Sequence, residues 1–526
     1  MIDKEQRKEN RKVVVVLAAI GAVFLFTRLF LLTSVPRGLN VDEAGMAYDA
    51  FCLANYGTDR YMTWHPVYLT NFGSGQSAMY AYLASIFIKI IGFRPAAFRL
   101  PAVCLGAAVL IFGYLIGKET MGKRSGLLLA GLITLCPYFI MASRWGLDCN
   151  LFLGFFTMSV YWLMLAVKRE KPGWFALAGL SFGFSLYTYA VSYVMLPLFL
   201  FFSFLYLLWS GKLKLKQAAA FAIPLAVLAA PLLLFIAVNS GYLEPFRTPL
   251  FTIQRMDYFR AGEFSLEFLQ GNWGVLPQLL SSDLVQYNGF AEFGTLYYVS
   301  VPFLLAGIVL SLIRTVKSVA GRQYDGQTFI TIMFWSVMSV VMVMRLPNIN
   351  KANAVYFPAV YCVVLAFDFV LGKLPWKKTL TCGVGAVYLV CFLFFARYYY
   401  FEYSDDRYPQ KYFENDLRLA LDLVEEEYPR GTERNIYVDG YFDIVSQPYI
   451  YTLIRRPISP EEWLAKRDPA DNSYDNYRFT VPEEIIPEEL DWDGIYLMSS
   501  RNEEIEKLRT AGFQEREFHY WIIFSK

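Results

Sequence analysis

The stretch Arg37-Gly38-Leu39-Asn40-Val41-Asp42-Glu43-Ala44-Gly45-Met46-Ala47-Tyr48 decides the fold, because it follows directly on the first long apolar segment, Val13 to Leu32. Two adjacent carboxylates, Asp42 and Glu43, therefore stand where a membrane span gives way to water. Charge beside hydrocarbon is costly, so an acidic pair kept there has a solvated loop around it or a task. A plainer reading makes the pair the first turn of a helix, where carboxylates complement the macrodipole.

Working outward, apolar runs recur at roughly 13–33, 98–117, 125–142, 151–167, 173–190, 192–209, 217–238, 297–313, 328–345, 354–371 and 379–397. Each is about as long as a bilayer requires, and with 56% hydrophobic residues the 526-residue chain reads as an integral membrane protein of about eleven transmembrane helices. The first run reads as a retained anchor, since no small-residue cleavage site follows it. Ser77 to Gly92 is apolar but short and carries Lys89. If it does not cross, the polar N-terminus and five basic loops share one side: Lys118/Lys123/Arg124, Lys168/Arg169/Lys171, Lys212/Lys214/Lys216, Arg314/Lys317/Arg322 and Lys373/Lys377/Lys378. The positive-inside rule makes that side cytoplasmic. The segment is therefore expected to lie in the interface, as an interfacial or re-entrant helix of the first outer loop.

Charge also divides the chain. Residues 398–526 hold 28 acidic and 15 basic residues, and residues 1–397 hold 18 and 33. The expected organisation is a transmembrane domain over 1–397 and an acidic extracytoplasmic domain over 398–526. Short strands near 435–439, 494–498 and 521–525 between helices at 412–427 and 501–510 read as α/β, with a loop-rich stretch at 457–491 that contains five prolines. Nucleic acid is not an expected partner, because the basic residues lie in short interhelical loops. The seven cysteines include no CxxC and sit mostly in apolar runs. No Walker loop or GxGxxG is present, so an activated donor has to come from outside the chain.

The outer loops combine carboxylates, cations and aromatics. The first has Asp42, Glu43, Asp49, Asp59, Arg60, Trp64-His65-Pro66 and Asn71-Phe72-Gly73-Ser74-Gly75-Gln76-Ser77; the second Arg144-Trp145-Gly146-Leu147-Asp148; the third Arg255, Asp257 and Arg260; the fourth Arg345 to Asn353, with Lys351. Such groups suit transfer from a lipid phosphate to a hydroxyl: a carboxylate accepts the proton, and cations hold the departing phosphate. Simpler readings stand beside this one. Arg144 and Asp148 have the spacing of an i,i+4 helix pair, Arg255 and Arg260 that of residues snorkelling to headgroups, and His65 before Pro66 that of a turn residue packed on Trp64.

The Asp-Glu pair after the first span, the His65-Pro66 segment leading into an amphipathic helix, and the Arg144…Asp148 loop resemble the GT-C glycosyltransferases. Within them the likeness is to family 39, the bacterial protein O-mannosyltransferase and aminoarabinose-transferase-like group, and it covers roughly residues 13–400. The resemblance implies a polyprenyl-phosphate (undecaprenyl-phosphate) sugar donor, an inverting transfer to an extracytoplasmic cell-wall polymer, lipid or protein, and a site facing away from the cytoplasm of the plasma membrane. It implies Asp42 as catalytic base, Glu43 as a positioning carboxylate, and Arg144, Asp148, Arg255, Lys351 and His65 as substrate- or phosphate-binding residues. No metal ligands are assigned; a divalent ion enters only because some relatives use one. The alternative is a transporter or lipid-linked-sugar flippase, but its usual internal repeats are not evident.

Overall fold

The computed structural model describes residues 2–259, 262–282, 288–373, 377–405, 412–429, 432–439, 447–469, 472–479 and 485–526; Arg260 lies outside them. In hydrocarbon every backbone donor and acceptor must be satisfied within its own segment, which leaves the helix as the form for the apolar runs. Helix α1 (Ile2–Leu29) leads into the first loop, which holds α2 (Val41–Tyr56), a hairpin of β1 (Tyr68–Asn71) and β2 (Ser74–Ser77), and α3 (Met79–Ile91). At 13 residues, α3 rises only about 20 Å, short of a hydrocarbon core.

The bundle continues through α4 (Pro95–Met121), α5 (Lys123–Leu135), α6 (Pro137–Ala142), α7 (Cys149–Arg169), α8 (Pro172–Leu186), α9 (Ser192–Trp209) and α10 (Leu215–Asn239). After a two-residue hairpin, β3 (Phe246–Arg247) and β4 (Thr252–Ile253), come α11 (Val275–Ser281), α12 (Val301–Ala320), α13 (Gln327–Val343), α14 (Tyr356–Lys373) and α15 (Lys377–Phe401). Helices coincide with all eleven expected runs, and among the described residues eight are long and apolar enough to cross a membrane. The other three depart from expectation for local reasons. The run 125–142 is broken at Pro137, which has no N–H to continue α5. Helices α8 and α13 stop at Leu186 and Val343, at 15 and 17 residues.

One end of the bundle gathers the basic loops. Lys123 Nζ lies 3.0 Å from Asn10 Oδ1, Lys168 pairs with Glu119, and Arg314 donates to the carbonyl of Thr120 at 3.1 Å. The N-terminal segment and these loops therefore share an end, as the charge pattern requires. The first loop and its hairpin lie at the other.

Beyond α15, helix α16 (Asn415–Glu427), β5 (Ile436–Val438), α17 (Tyr449–Arg455), α18 (Pro460–Lys466), β6 (Arg467–Asp468), β7 (Ser473–Tyr474), β8 (Tyr477–Arg478), β9 (Ile495–Ser499), α19 (Ile505–Thr510), β10 (Gln514–Phe518) and β11 (Trp521–Ser525) follow. A seven-stranded sheet has the order β10-β11-β9-β5-β8-β7-β6, with β5 parallel to both β8 and β9. The stretch 457–491 contains α18 and three short strands, more order than its prolines suggest; Pro460 sits in the first turn of α18, where a missing N–H costs nothing. This part shares its core with α2: Leu39, Tyr48 and Cys52 pack with Leu421, Val438 and Trp463. Tyr48 also donates to the carbonyl of Ile458 at 3.1 Å. The acidic part thus rests directly on the helix that carries the Asp-Glu pair.

Candidate active site

Helix α2 begins where Asn40, in extended backbone, accepts the N–H of Asp42 at 3.0 Å on its side chain. Successive helical side chains point about 100° apart, so Asp42 and Glu43 part company. Asp42 is half-buried and lines a hollow of about 660 Å³. Glu43 is fully buried and faces inward. Its carboxylate takes two bonds from Arg99 (Nε to Oε1 2.8 Å, Nη2 to Oε2 3.1 Å) and one from the N–H of Gly146 at 2.7 Å. Arg99 spends its other donors on the carbonyls of Leu32, Pro36 and Gly38. Gly146 is required at that spot, since a Cβ would sit 2.2 Å from the Phe98 ring. Glu43 therefore reaches no substrate: it ties the second loop to α2 and α4 and holds the first turn of α2 in place.

Asp148 caps α7, accepting from the N–H of Cys149 at 2.7 Å and of Ser77 at 3.3 Å, and lines the same hollow as Asp42. Burial, with the Asp42 charge adding to it, pushes its carboxyl up to about 7. A carboxyl raised in this way stabilises the fold fully below its unfolded value near 4, and that contribution is gone once pH passes about 7. Asp148→Asn, which stays uncharged, is thus expected to gain thermal stability relative to wild type as pH rises from about 4 to about 7, then level off. Melting curves of both proteins across that range check it.

Lys351 also faces the hollow, with Nζ 2.9 Å from the carbonyl of Arg345 and 3.5 Å from Glu263 Oε2. Tyr68, Tyr189 and Tyr193 form aromatic wall, and Asn71 and Gln76 of the hairpin lie beside Asp42. Among the expected site residues, then, Asp42, Asp148 and Lys351 converge.

The others do not. Arg144 is wholly buried, donating from Nη1 to the carbonyls of Thr27 and Arg28 (2.9 Å each) and from Nη2 to that of Val35 at 3.1 Å; its guanidinium lies 5.0 Å from the Tyr400 ring centre. It terminates α1 by satisfying orphan carbonyls, and it does not line the hollow. Arg255 is exposed and holds Glu244 and the carbonyl of Leu243. His65 stacks on Trp64 at 4.1 Å with a left-handed backbone, outside the hollow, as a turn residue does. Among the described residues no group of three His, Cys, Asp or Glu side chains converges. The divalent-ion expectation thus finds no ligand set among the described residues.

Sequence reasoning missed Arg99, Asn71, Gln76 and Glu263. Arg99 carried a readable signal: a lone arginine at the start of an apolar run is expensive unless paired. The hairpin amides carried none, because their partners are set by folding.

Residues 76–238 match the family model described as dolichyl-phosphate-mannose-protein mannosyltransferase, less than half of the chain. Among curated protein sequences no significant match is found. ArnT from Cupriavidus metallidurans in the apo state is similar in structure (TM-score 0.56, 12% identity, 98% of each chain covered). So is the same protein bound to undecaprenyl phosphate (TM-score 0.56, 13% identity, 97% of each). The archaeal oligosaccharyltransferase AglB from Archaeoglobus fulgidus, in complex with an inhibitory peptide and a dolichol-phosphate, gives a TM-score of 0.50 at 14% identity; 85% of this chain spans 64% of that one. The membrane-length helices, the match over 76–238 and these chain-long likenesses make this a multi-pass membrane protein with the GT-C glycosyltransferase fold.

Proposed function

We propose that the chain transfers a sugar from a polyprenyl-phosphate carrier of the undecaprenyl type to a hydroxyl of an extracytoplasmic cell-wall polymer, lipid or protein. The observation that carries this reading is the hollow itself, which brings the half-buried carboxylate of Asp42 and the ammonium of Lys351 to a single aromatic-walled space at the end of the bundle opposite the basic loops. By the positive-inside rule those loops and the N-terminus face the cytoplasm, and the hollow opens on the other side. The acidic part from residue 398 onward is an outer domain resting on α2.

In the reaction the acceptor oxygen attacks the anomeric carbon, and the carbon–oxygen bond to phosphate breaks with its electron pair leaving on the phosphate. Attack from the face opposite the leaving group inverts the centre. Asp42 takes the hydroxyl proton as positive charge develops on the attacking oxygen; its place matters more than its basicity, since a free carboxylate is a weak base. Lys351 meets the phosphate as a point charge. The similar ArnT and AglB structures contain undecaprenyl phosphate and a dolichol-phosphate, which supports a lipid-phosphate donor here.

Release of free prenyl phosphate from a prenyl-phosphate sugar by the purified protein tests the reading. With that assay Lys351→Ala is expected to raise the donor KM by about ten-fold or more, the loss of one charge-assisted contact, with a smaller change in kcat. An unchanged donor KM removes Lys351 from the phosphate site.

A further inference from the structure

Behind the hollow, seven residues along α2 from Asp42, Asp49 is buried and paired with Arg60, itself wholly buried. Arg60 grips both oxygens, Nε to Oδ1 at 3.0 Å and Nη2 to Oδ2 at 2.7 Å, and its own N–H reaches Oδ1 at 3.0 Å. The same Nη2 also donates to Asn71 Oδ1 at 3.0 Å. That contact has a directional consequence. Guanidinium is donor-only, so the atom of Asn71 that meets it must be the carbonyl oxygen, and the amide NH2 is turned the other way. There Nδ2 meets Asp42 Oδ1 at 3.3 Å and Gln76 Oε1 at 2.9 Å. With its oxygen taken by Asn71, Gln76 has its NH2 left to donate.

Space for the arrangement is provided on α2 by Gly45, where a Cβ would lie 2.7 Å from Arg60 Nη2 and 2.8 Å from Asn71 Oδ1. A buried ion pair that merely pinned residues 57–65 to the helix would not need a third partner placed between it and the hollow.

We infer that Asn71, its amide oriented by the Asp49–Arg60 pair, is a positioning residue that aims the Asp42 carboxylate and favours its charged form. The inference rests on Asp42 being the base. Charged groups facing the same space are Asp148 at the start of α7 and Glu263 and Lys351 across the hollow, with Arg60 behind Asn71; Glu43 is turned away into its bond with Arg99.

The test replaces the amide by its isosteric acid. Asn71→Asp keeps an oxygen for Arg60 but sets a second carboxylate against Asp42. Like charge raises the pH at which Asp42 ionises, so the acid limb of the kcat–pH profile is expected to move up by about one unit. At pH 7 kcat is expected to fall about ten-fold or more, with donor KM held within about two-fold. Where Asn71→Asp does not keep its fold, Asn71→Ser serves: it removes the amide, adds no charge, and is expected to lower kcat about ten-fold at unchanged donor KM. A profile superimposable on wild type, or kcat within about two-fold in the serine variant, overturns the inference. Asp42→Asn, run alongside, separates the two claims. If it is inactive while the Asn71 variants behave as wild type, the positioning role alone fails; if it is active, the base assignment fails and the positioning role with it.

Discussion

Asp42→Asn is expected to abolish sugar transfer while leaving the protein folded. Asp42 is half-buried and lines the hollow, and asparagine keeps its size and a carbonyl oxygen that accepts from Asn71. What it cannot do is take the acceptor's proton. Positioned proton transfer contributes about 10²–10⁴-fold to a rate, so kcat should drop by that factor, while donor KM, set by contacts such as Lys351, changes little. Release of prenyl phosphate reads the rate, and a melting curve within a degree or two of wild type shows that the loss is chemical. Full activity in this variant would leave the hollow a binding site without its base.

Glu43→Ala and Arg99→Met are expected to fail in the opposite way, by losing the fold and activity with it. Removing one member of a buried pair strands the other and typically costs about 3–5 kcal/mol. Here the cost extends beyond the pair. Without Arg99 the carbonyls of Leu32, Pro36 and Gly38 lose their donor, and without Glu43 the N–H of Gly146 loses its acceptor; a buried polar group left unsatisfied costs about 1–3 kcal/mol. For this reason replacing both residues by apolar ones, which often rescues a buried ion pair, is not expected to do so here. Thermal unfolding in detergent and the yield of monodisperse protein measure the effect. A Glu43→Ala protein that melts like wild type would contradict the latch, and one that also loses only kcat would return Glu43 to the chemistry.

Asp42 and Glu43 are adjacent in the chain, yet their variants are expected to fail for opposite reasons, one chemical and one structural. Apolar run length gave the helices, because a bilayer imposes that length on any segment crossing it. Loop charge placed the N-terminus and the basic loops together, and the contacts of Lys123 with Asn10 and of Arg314 with Thr120 put them at one end. The pair Asp42-Glu43 stands in the first turn of α2, and of the two only Asp42 lines the hollow. Strands near 435–439, 494–498 and 521–525 were legible from their β-branched and aromatic residues, and appear as β5, β9 and β11.

Arg144 and His65, which the family resemblance implies, and Arg255, chosen on position and charge, do not line the hollow. Helical periodicity says that neighbours diverge, not which of them meets the cavity. An arginine beside a span can meet a phosphate or cap a helix with equal chemistry, and only the chain brought against it decides.

What the sequence by itself determined is local: segment length, charge distribution, capping at Asn40, and the helix start that presents two carboxylates. Tertiary structure decided everything that depends on a partner far along the chain. Arg144 finds the carbonyl of Arg28 across 116 residues, Glu43 finds Gly146 across 103, and Asn71 meets Asp42 across 29. Buried donors and acceptors must be paired, but the pairing rule fixes only that a partner exists; its identity follows from how α2, the hairpin and the second loop pack, and so does the division of the Asp-Glu pair between the hollow and the core.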